Sequence, residues 1–181
     1  MKVAILSAMW QRYRLFEIFA KQLERFKQEY SIDSLVVGSE GEVSKQLCTE
    51  RGVSYLEAPN KPLSDKFNFG SQYIHTHWNP DYLIILGSDD FVSNSLIETY
   101  LSLMNDLPDM IGIVDCNIYN AKIKELSYFR GYSNRRKGES LGMCRCLSRK
   151  VLNRLSGNLW LKNLNAGLDW SMTERLNKAG R

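Results

Sequence analysis

Leu15, Phe19, Leu23, Phe26 and Tyr30 step by four, four, three and four, which draws one apolar stripe along a helix over residues 11–29. That helix follows directly on a near-continuous apolar run at residues 2–7, the pattern of a strand buried on both faces. The alternation then repeats. Short apolar runs at 34–38, 53–56, 82–86 and 111–115 predict strands, and the segments 43–51, 65–77 and 94–105 between them predict helices. A loop at 60–64 precedes the third helix, and Asn79-Pro80-Asp81 ends it. Ser95 and Glu98 have capping-box spacing at the start of the fourth helix. Strands alternating with helices four times in succession predict a mainly parallel sheet covered on both faces.

Past Asp115 the rhythm changes. Residues 126–132 read as a strand, 133–140 as a polar basic loop, and 147–155 as a helix; a last helix begins at Ser171, where Glu174 again gives capping-box spacing. A single domain over 1–181 is expected, divided near residue 115 into a first half and a second half at 116–181. The chain stops at Arg181, one residue past Gly180, an abrupt ending that fits either a compact product or further C-terminal sequence.

Composition is ordinary for a globular domain, 44% hydrophobic and 24% charged. The longest aliphatic run, residues 83–86, is far too short to span a bilayer, and the N-terminus lacks the long apolar stretch of a signal peptide. A soluble cytoplasmic protein is expected. Cys48, Cys116, Cys144 and Cys146 match no zinc spacing and are expected to be free thiols. His75 and His77 would point to different faces of a helix, so they do not share a metal easily.

The richest segment for chemistry is 82–91, Tyr-Leu-Ile-Ile-Leu-Gly-Ser-Asp-Asp-Phe. A buried strand there delivers Asp89 and Asp90 to the carboxyl edge of the sheet, where open α/β folds bind ligands. Two roles fit the pair: a site for a divalent cation that carries phosphate oxygens, or an acidic turn that caps the next helix. Charge is uneven as well. Residues 122–154 hold ten Lys or Arg against Glu125 and Glu139, a surplus of +8 in a chain of net +4. A basic segment beside an acidic site fits a polyanionic ligand, and it also fits a solvated face. The turn after the first strand, Ser7-Ala8-Met9-Trp10, has no glycine, which argues against Rossmann dinucleotide binding; the P-loop and Gly-x-Ser-x-Gly patterns are missing too.

The order of motifs resembles that of GT-A-fold glycosyltransferases of the family 2 type. In that family the fourth strand usually ends Asp-x-Asp-Asp; Ser88, Asp89 and Asp90 match the ending, and Gly87 replaces the first Asp. Upstream, the family's Asn-x-Gly-x-Ser-x-x-Arg-Asn-x-Gly corresponds to 60–70 here. Asn60, Ser64, Asn68 and Gly70 keep their places, Phe67 stands for the Arg, and Lys66 beside it is a candidate replacement cation. The resemblance implies an α/β, GT-A-like (Rossmann-like) fold in which residues 1–115 bind a nucleotide-sugar. Asp89, with Asp90, would hold Mn2+ or Mg2+ against the diphosphate. Gly87 leaves the usual ribose contact without its carboxylate.

Further positions follow from the same resemblance. Ser7, Ala8, Trp10 and Arg12 would surround the base, with Trp10 either stacked on it or in the core. Gly38-Ser39-Glu40 stands where the family often has an Asp for the base, so base identity does not transfer. Asp169, in Gly-Leu-Asp-Trp at 167–170, matches the second acid of the family's Glu/Asp-Asp motif, the general base on the acceptor hydroxyl, although it also fits a capping role beside Ser171. Glu139, Gly142, Met143, Arg145 and Trp170 fall on the acceptor side. The implied activity is metal-dependent transfer of a sugar to a saccharide or other hydroxyl acceptor by in-line displacement, with inversion expected and retention also compatible. A nucleic-acid acceptor fits the basic segment. A nucleotidyltransferase and a non-catalytic nucleotide-sugar or nucleic-acid binding module are the alternatives.

Overall fold

The computed structural model describes residues 1–180, the side chain of residue 134 excepted. Strand β1 (Val3–Ala8) lies at the centre of a six-stranded sheet. It pairs in parallel with β2 (Asp33–Gly38) on one side and β4 (Tyr82–Ile85) on the other, and β3 (Ser54–Glu57) extends the sheet in parallel beyond β2. Beyond β4, strand β8 (Cys146–Ser148) runs antiparallel and is flanked by the short edge strand β5 (Met110–Ile111). The order is β3-β2-β1-β4-β8-β5. Strands β6 (Cys116–Asn120) and β7 (Glu125–Phe129) form a separate hairpin.

Because side chains alternate along a strand, the central strands feed two cores. Val3 and Ile5 of β1, with Tyr82 and Ile84 of β4, pack under α1 (Tyr13–Tyr30), α2 (Glu42–Thr49) and α4 (Asn94–Leu103). Ala4 and Leu6, with Leu83 and Ile85, pack against α3 (Leu63–Tyr73), α5 (Arg149–Leu155) and α6 (Leu168–Ala179). The α1 stripe is buried as its spacing requires: Phe19 and Phe26 are fully enclosed, and truncating either to Ala would cost about 3–5 kcal/mol. The chain leaves β1 towards β2 and β3, then crosses back to β4, so the carboxyl ends of β1 and β4 flank a topological switch point. No helix among the described residues is long and apolar enough to cross a membrane.

Four local expectations are corrected. Residues 111–115 do not form one strand: β5 ends at Ile111 and β6 begins at Cys116. Residues 146–148, expected in part as helix, form β8, because Cys146 and Leu147 fill a slot between β4 and β5. Ser95 does not cap α4; Ser93 does, accepting from Leu96 N, while Glu98 accepts from the Tyr30 hydroxyl. Helix α6 starts at Leu168 rather than Ser171, whose Oγ instead accepts from Leu161 N at 2.8 Å.

Candidate active site

A cleft of about 450 Å3 opens beside the end of β1, with Trp10, Arg12, Asn60, Leu63, Ser88 and Asn165 on its walls. Trp10 is half exposed, so it belongs to the cleft and not to the core. Gln11 and Arg12 both take left-handed backbone conformations, at φ 55° and 57°. Two consecutive non-glycine residues in that region store strain, a feature that collects at functional loops. The turn aims Arg12 across the switch point, where its Nη1 pairs with Asp89 Oδ2 at 2.8 Å; both side chains are more than half exposed. Ser88 and Asp89 therefore stand at the mouth of the cleft.

Asp90 turns inward. Its Oδ2 accepts from Gly87 N at 2.6 Å, and burial, aided by the charges of Asp89 and Asp169, pushes its carboxyl up to about 6 against the opposing pull of the Gly87 N–H. The helix that follows is capped by Ser93, so the acidic pair shapes its own turn and leaves the cap to another residue. Asp90 shares a second, smaller pocket of about 180 Å3 with Asp169, Gly142, Met143, Phe67 and Trp160.

Asp169 lies in the first turn of α6 with its Oδ2 accepting from the Tyr132 hydroxyl at 2.8 Å. Gly142 is required here, since a Cβ at that position would run into the Asp169 carboxylate. A string of side chains backs the contact. Arg136 lies 3.6 Å over the Tyr132 ring and donates from Nε to Glu139 at 2.8 Å. Glu139 thus reaches the acid through two intermediaries, while Trp170 is half exposed beside it.

Several residues expected to touch a ligand are committed to the protein itself. Lys66 is buried, with Nζ donating to Met9 O and Ser39 Oγ, both at 2.6 Å, and to Asn60 Oδ1 at 3.2 Å; burial lowers its pKa to about 8. It supports the loop that carries Trp10 and does not reach into the cleft. Asn68 clamps the backbone of Trp160, donating to its carbonyl at 2.9 Å and accepting from its N–H at 3.0 Å. Gly38 makes room for the Tyr55 ring. Ser7 is fully buried, its Oγ without a protein partner among the described residues, and Ala8 is half-buried at the strand's end. Arg145, expected on the acceptor face, is 1% exposed. Its Nη1 donates to Asp169 O at 3.0 Å and its Nη2 to Ser140 O at 2.8 Å, so it anchors the start of α6 from behind.

Tyr132 and Arg136 were not singled out as partners of Asp169 in the sequence. An aromatic beside an arginine after a strand is too common a pattern to mark them, and only the folded geometry joins residues 37 positions apart.

Among the described residues no three His, Cys, Asp or Glu side chains converge as a metal cage. The donor set nevertheless fits a hard cation that brings its own phosphate ligands, because Mg2+ and Mn2+ in such sites take one or two carboxylates and complete their shell with water and substrate oxygens. Asp89, exposed and paired through Oδ2 with Arg12, would supply one carboxylate and Asp90 the second. Cys144 and Cys146 are buried free thiols, as expected.

No protein-family model and no curated protein sequence matches the chain. Solved structures do. S. aureus TarS 1-349 superposes with a TM-score of 0.67 at 13% identity, covering 97% of this chain and 55% of that one. The chain thus spans about half the length of TarS 1-349. A 4-diphosphocytidyl-2C-methyl-D-erythritol synthase superposes at 0.66 and 11% identity, covering 98% of this chain and 86% of that one. The corresponding Anaerococcus prevotii DSM 20548 enzyme gives 0.62 at 11%, with coverage of 98% and 84%. At these identities the likeness establishes the fold, which is GT-A-like and shared with nucleotidyltransferases.

Proposed function

We propose that the protein is a glycosyltransferase that moves a sugar from a nucleotide-sugar donor to an acceptor hydroxyl, with a divalent cation and inversion at the anomeric carbon. The observation that carries this is the placement of Asp169: a carboxylate in a pocket shared with Asp90, held by Tyr132 and given its space by Gly142. The fold neighbours include a glycosyltransferase, which supports the class.

The mechanism follows from these positions. Trp10 offers an exposed aromatic face to a base, and Arg12 a guanidinium for phosphate oxygens. Asp89 with Asp90 would hold Mg2+ or Mn2+, which would supply charge neutralisation for the departing diphosphate. Asp169 accepts the proton of the acceptor hydroxyl as that oxygen attacks the anomeric carbon. The Tyr132 hydroxyl and the Arg145 contact to Asp169 O fix the carboxylate in place during that step, which limits the reorganisation needed for proton transfer.

A panel of UDP-, GDP-, CMP- and dTDP-sugars with Mn2+ tests the proposal, because a ligand that binds only the folded state raises its melting temperature. A metal-dependent shift with at least one donor is expected, lost in Asp89→Ala and only weakened in Asp90→Ala. Undiminished metal-dependent binding in Asp89→Ala would remove Asp89 as the metal ligand.

A nucleotidyltransferase is the second reading, favoured by the near-equal size of the cytidyl-transferring neighbours, of which the chain covers 84–86%. The glycine-free turn after β1 counts against it. Pyrophosphate release from a nucleoside triphosphate and a sugar or polyol phosphate would establish that reading in place of sugar transfer.

A further inference from the structure

Strands β6 and β7 pair only with each other, outside the main sheet. At about 3.4 Å per residue their five-residue strands make a ribbon roughly 17 Å long. Ile118, Tyr119, Leu126 and Tyr128 on the strands and Ile123 in the turn are each half or more exposed, an apolar display that a monomer rarely leaves without a use. The register puts Asn117 opposite Tyr128 and Tyr119 opposite Leu126, so these four side chains share one face. Lys122 and Lys124 sit in the turn, and Arg130, Arg135 and Lys137 continue along the strand exit; all five are exposed, and none is paired with a carboxylate among the described residues.

The ribbon is rooted at the active site. Phe129 meets the Tyr132 ring edge-on at 5.7 Å, and Tyr132 binds Asp169. Whatever the ribbon grips is therefore delivered beside the candidate base.

We propose that the β6–β7 ribbon is a docking arm for duplex nucleic acid, which would carry the acceptor hydroxyl. Its charge complements a phosphate backbone, the unpaired cations forming a track from the turn back to the cleft. A two-stranded ribbon fits the major groove, where Asn117 can meet base edges and Leu126 or the tyrosine rings of the same face can meet apolar base surface. A membrane surface is the less suitable occupant. The turn carries one large apolar residue between two lysines, and polar Asn117, Asn120 and Ser127 interrupt the strands, whereas an inserting tip presents a continuous apolar face.

The acceptor role rests on the transferase reading, but the docking itself does not, so the two are measured separately. The protein would be titrated against a fluorescent DNA duplex over a salt series, alongside a K122E/K124E/R130E variant. Wild type is expected to bind with a steep salt dependence. The variant should lose about tenfold or more in affinity at low salt, with the log–log salt slope reduced by about one for each cation removed. Tyr119→Ala with Leu126→Ala should weaken binding while leaving the slope nearly unchanged. Thermal shifts with nucleotide-sugars and Mn2+ should be the same in wild type and the charge variant, since none of these residues lines the donor cleft. Absence of DNA binding at low salt, equal binding by the charge variant, or binding to anionic phospholipid vesicles in place of DNA would overturn the arm. Loss of every donor shift with DNA binding intact would instead strike the transferase reading alone.

Discussion

Lys66 and Arg145 are both almost completely buried, each beneath one wall of the cleft, and the ways they are satisfied differ. Lys66 holds the donor wall through three acceptors, Met9 O, Ser39 Oγ and Asn60 Oδ1. Burial drags its pKa down to about 8, with Glu40 and Glu57 pulling the other way. Arg145 holds the acceptor wall through Ser140 Oγ, Leu141 O, Asp169 O, Ser140 O and Thr173 Oγ1. A guanidinium does not shed its proton in a protein, so burying one demands a full set of fixed acceptors. The wall beside Asp169 is consequently tied together by five contacts to one guanidinium, while the wall beside Trp10 is held by three contacts to one ammonium.

The sharpest break in this comparison is Asp169→Asn. The change keeps shape and most hydrogen bonding but removes the base, so transfer should fall by about a hundredfold or more while donor affinity stays close to wild type. Single-turnover transfer and donor titration measure the two quantities. Wild-type transfer by the mutant would leave Asp169 as a structural residue of α6.

Next in size is the pair of buried cations. Arg145→Met strands the carbonyls of Ser140, Leu141 and Asp169, and should cost on the order of 3 kcal/mol in chemical denaturation as well as slowing turnover. Arg145→Lys should rescue little, since an ammonium cannot span the same fork of acceptors. Lys66→Met leaves three acceptors unpaired, of which Ser39 Oγ and Asn60 Oδ1 belong to partly exposed residues, so about 1–2 kcal/mol is expected, with the kinetic change in KM for the donor and not in kcat. Equal stability costs, or a kcat effect for Lys66, would erase the distinction between the walls.

The donor half was legible because its elements are local and periodic. The α1 stripe, the two-faced strands and the Gly-Ser-Asp-Asp ending each declare themselves within a short window, and the fold brings Trp10, Arg12 and Ser88 to one cleft with Asp89 paired to Arg12. Nothing local says that Met9 O will claim Lys66 or that the Trp160 backbone will claim Asn68. The acceptor half resists local reading. Strand β8 has three residues and is set by pairing with β4, more than sixty positions away. The Tyr132–Asp169 contact and the Arg145 anchor likewise depend on long-range closure.

The smallest expected effect isolates Asp90, which sits between the walls. Its folded carboxyl titrates at about 6 rather than 3.8, raised first by burial and then by Asp89 and Asp169. A raised folded value means that the protonated form is favoured on folding. The stability this contributes is complete below 3.8 and is lost as pH rises through about 6. Asp90→Asn removes the ionisation while Asn can still accept from Gly87 N. The mutant should therefore melt above wild type at neutral pH by on the order of 1 kcal/mol, a shift of about 2–4 °C for a chain of this size, and the gap should close in acid. Protons and a cation compete for the same carboxyl, so wild-type affinity for Mn2+ in the presence of donor should tighten as pH rises through that range, and the mutant should respond less. Melting curves at a series of pH values, with and without Mn2+, decide the matter. A mutant that melts below wild type at neutral pH would show that the Asp90 charge is already compensated within the fold, and would leave Asp89 as the sole carboxylate available to a cation.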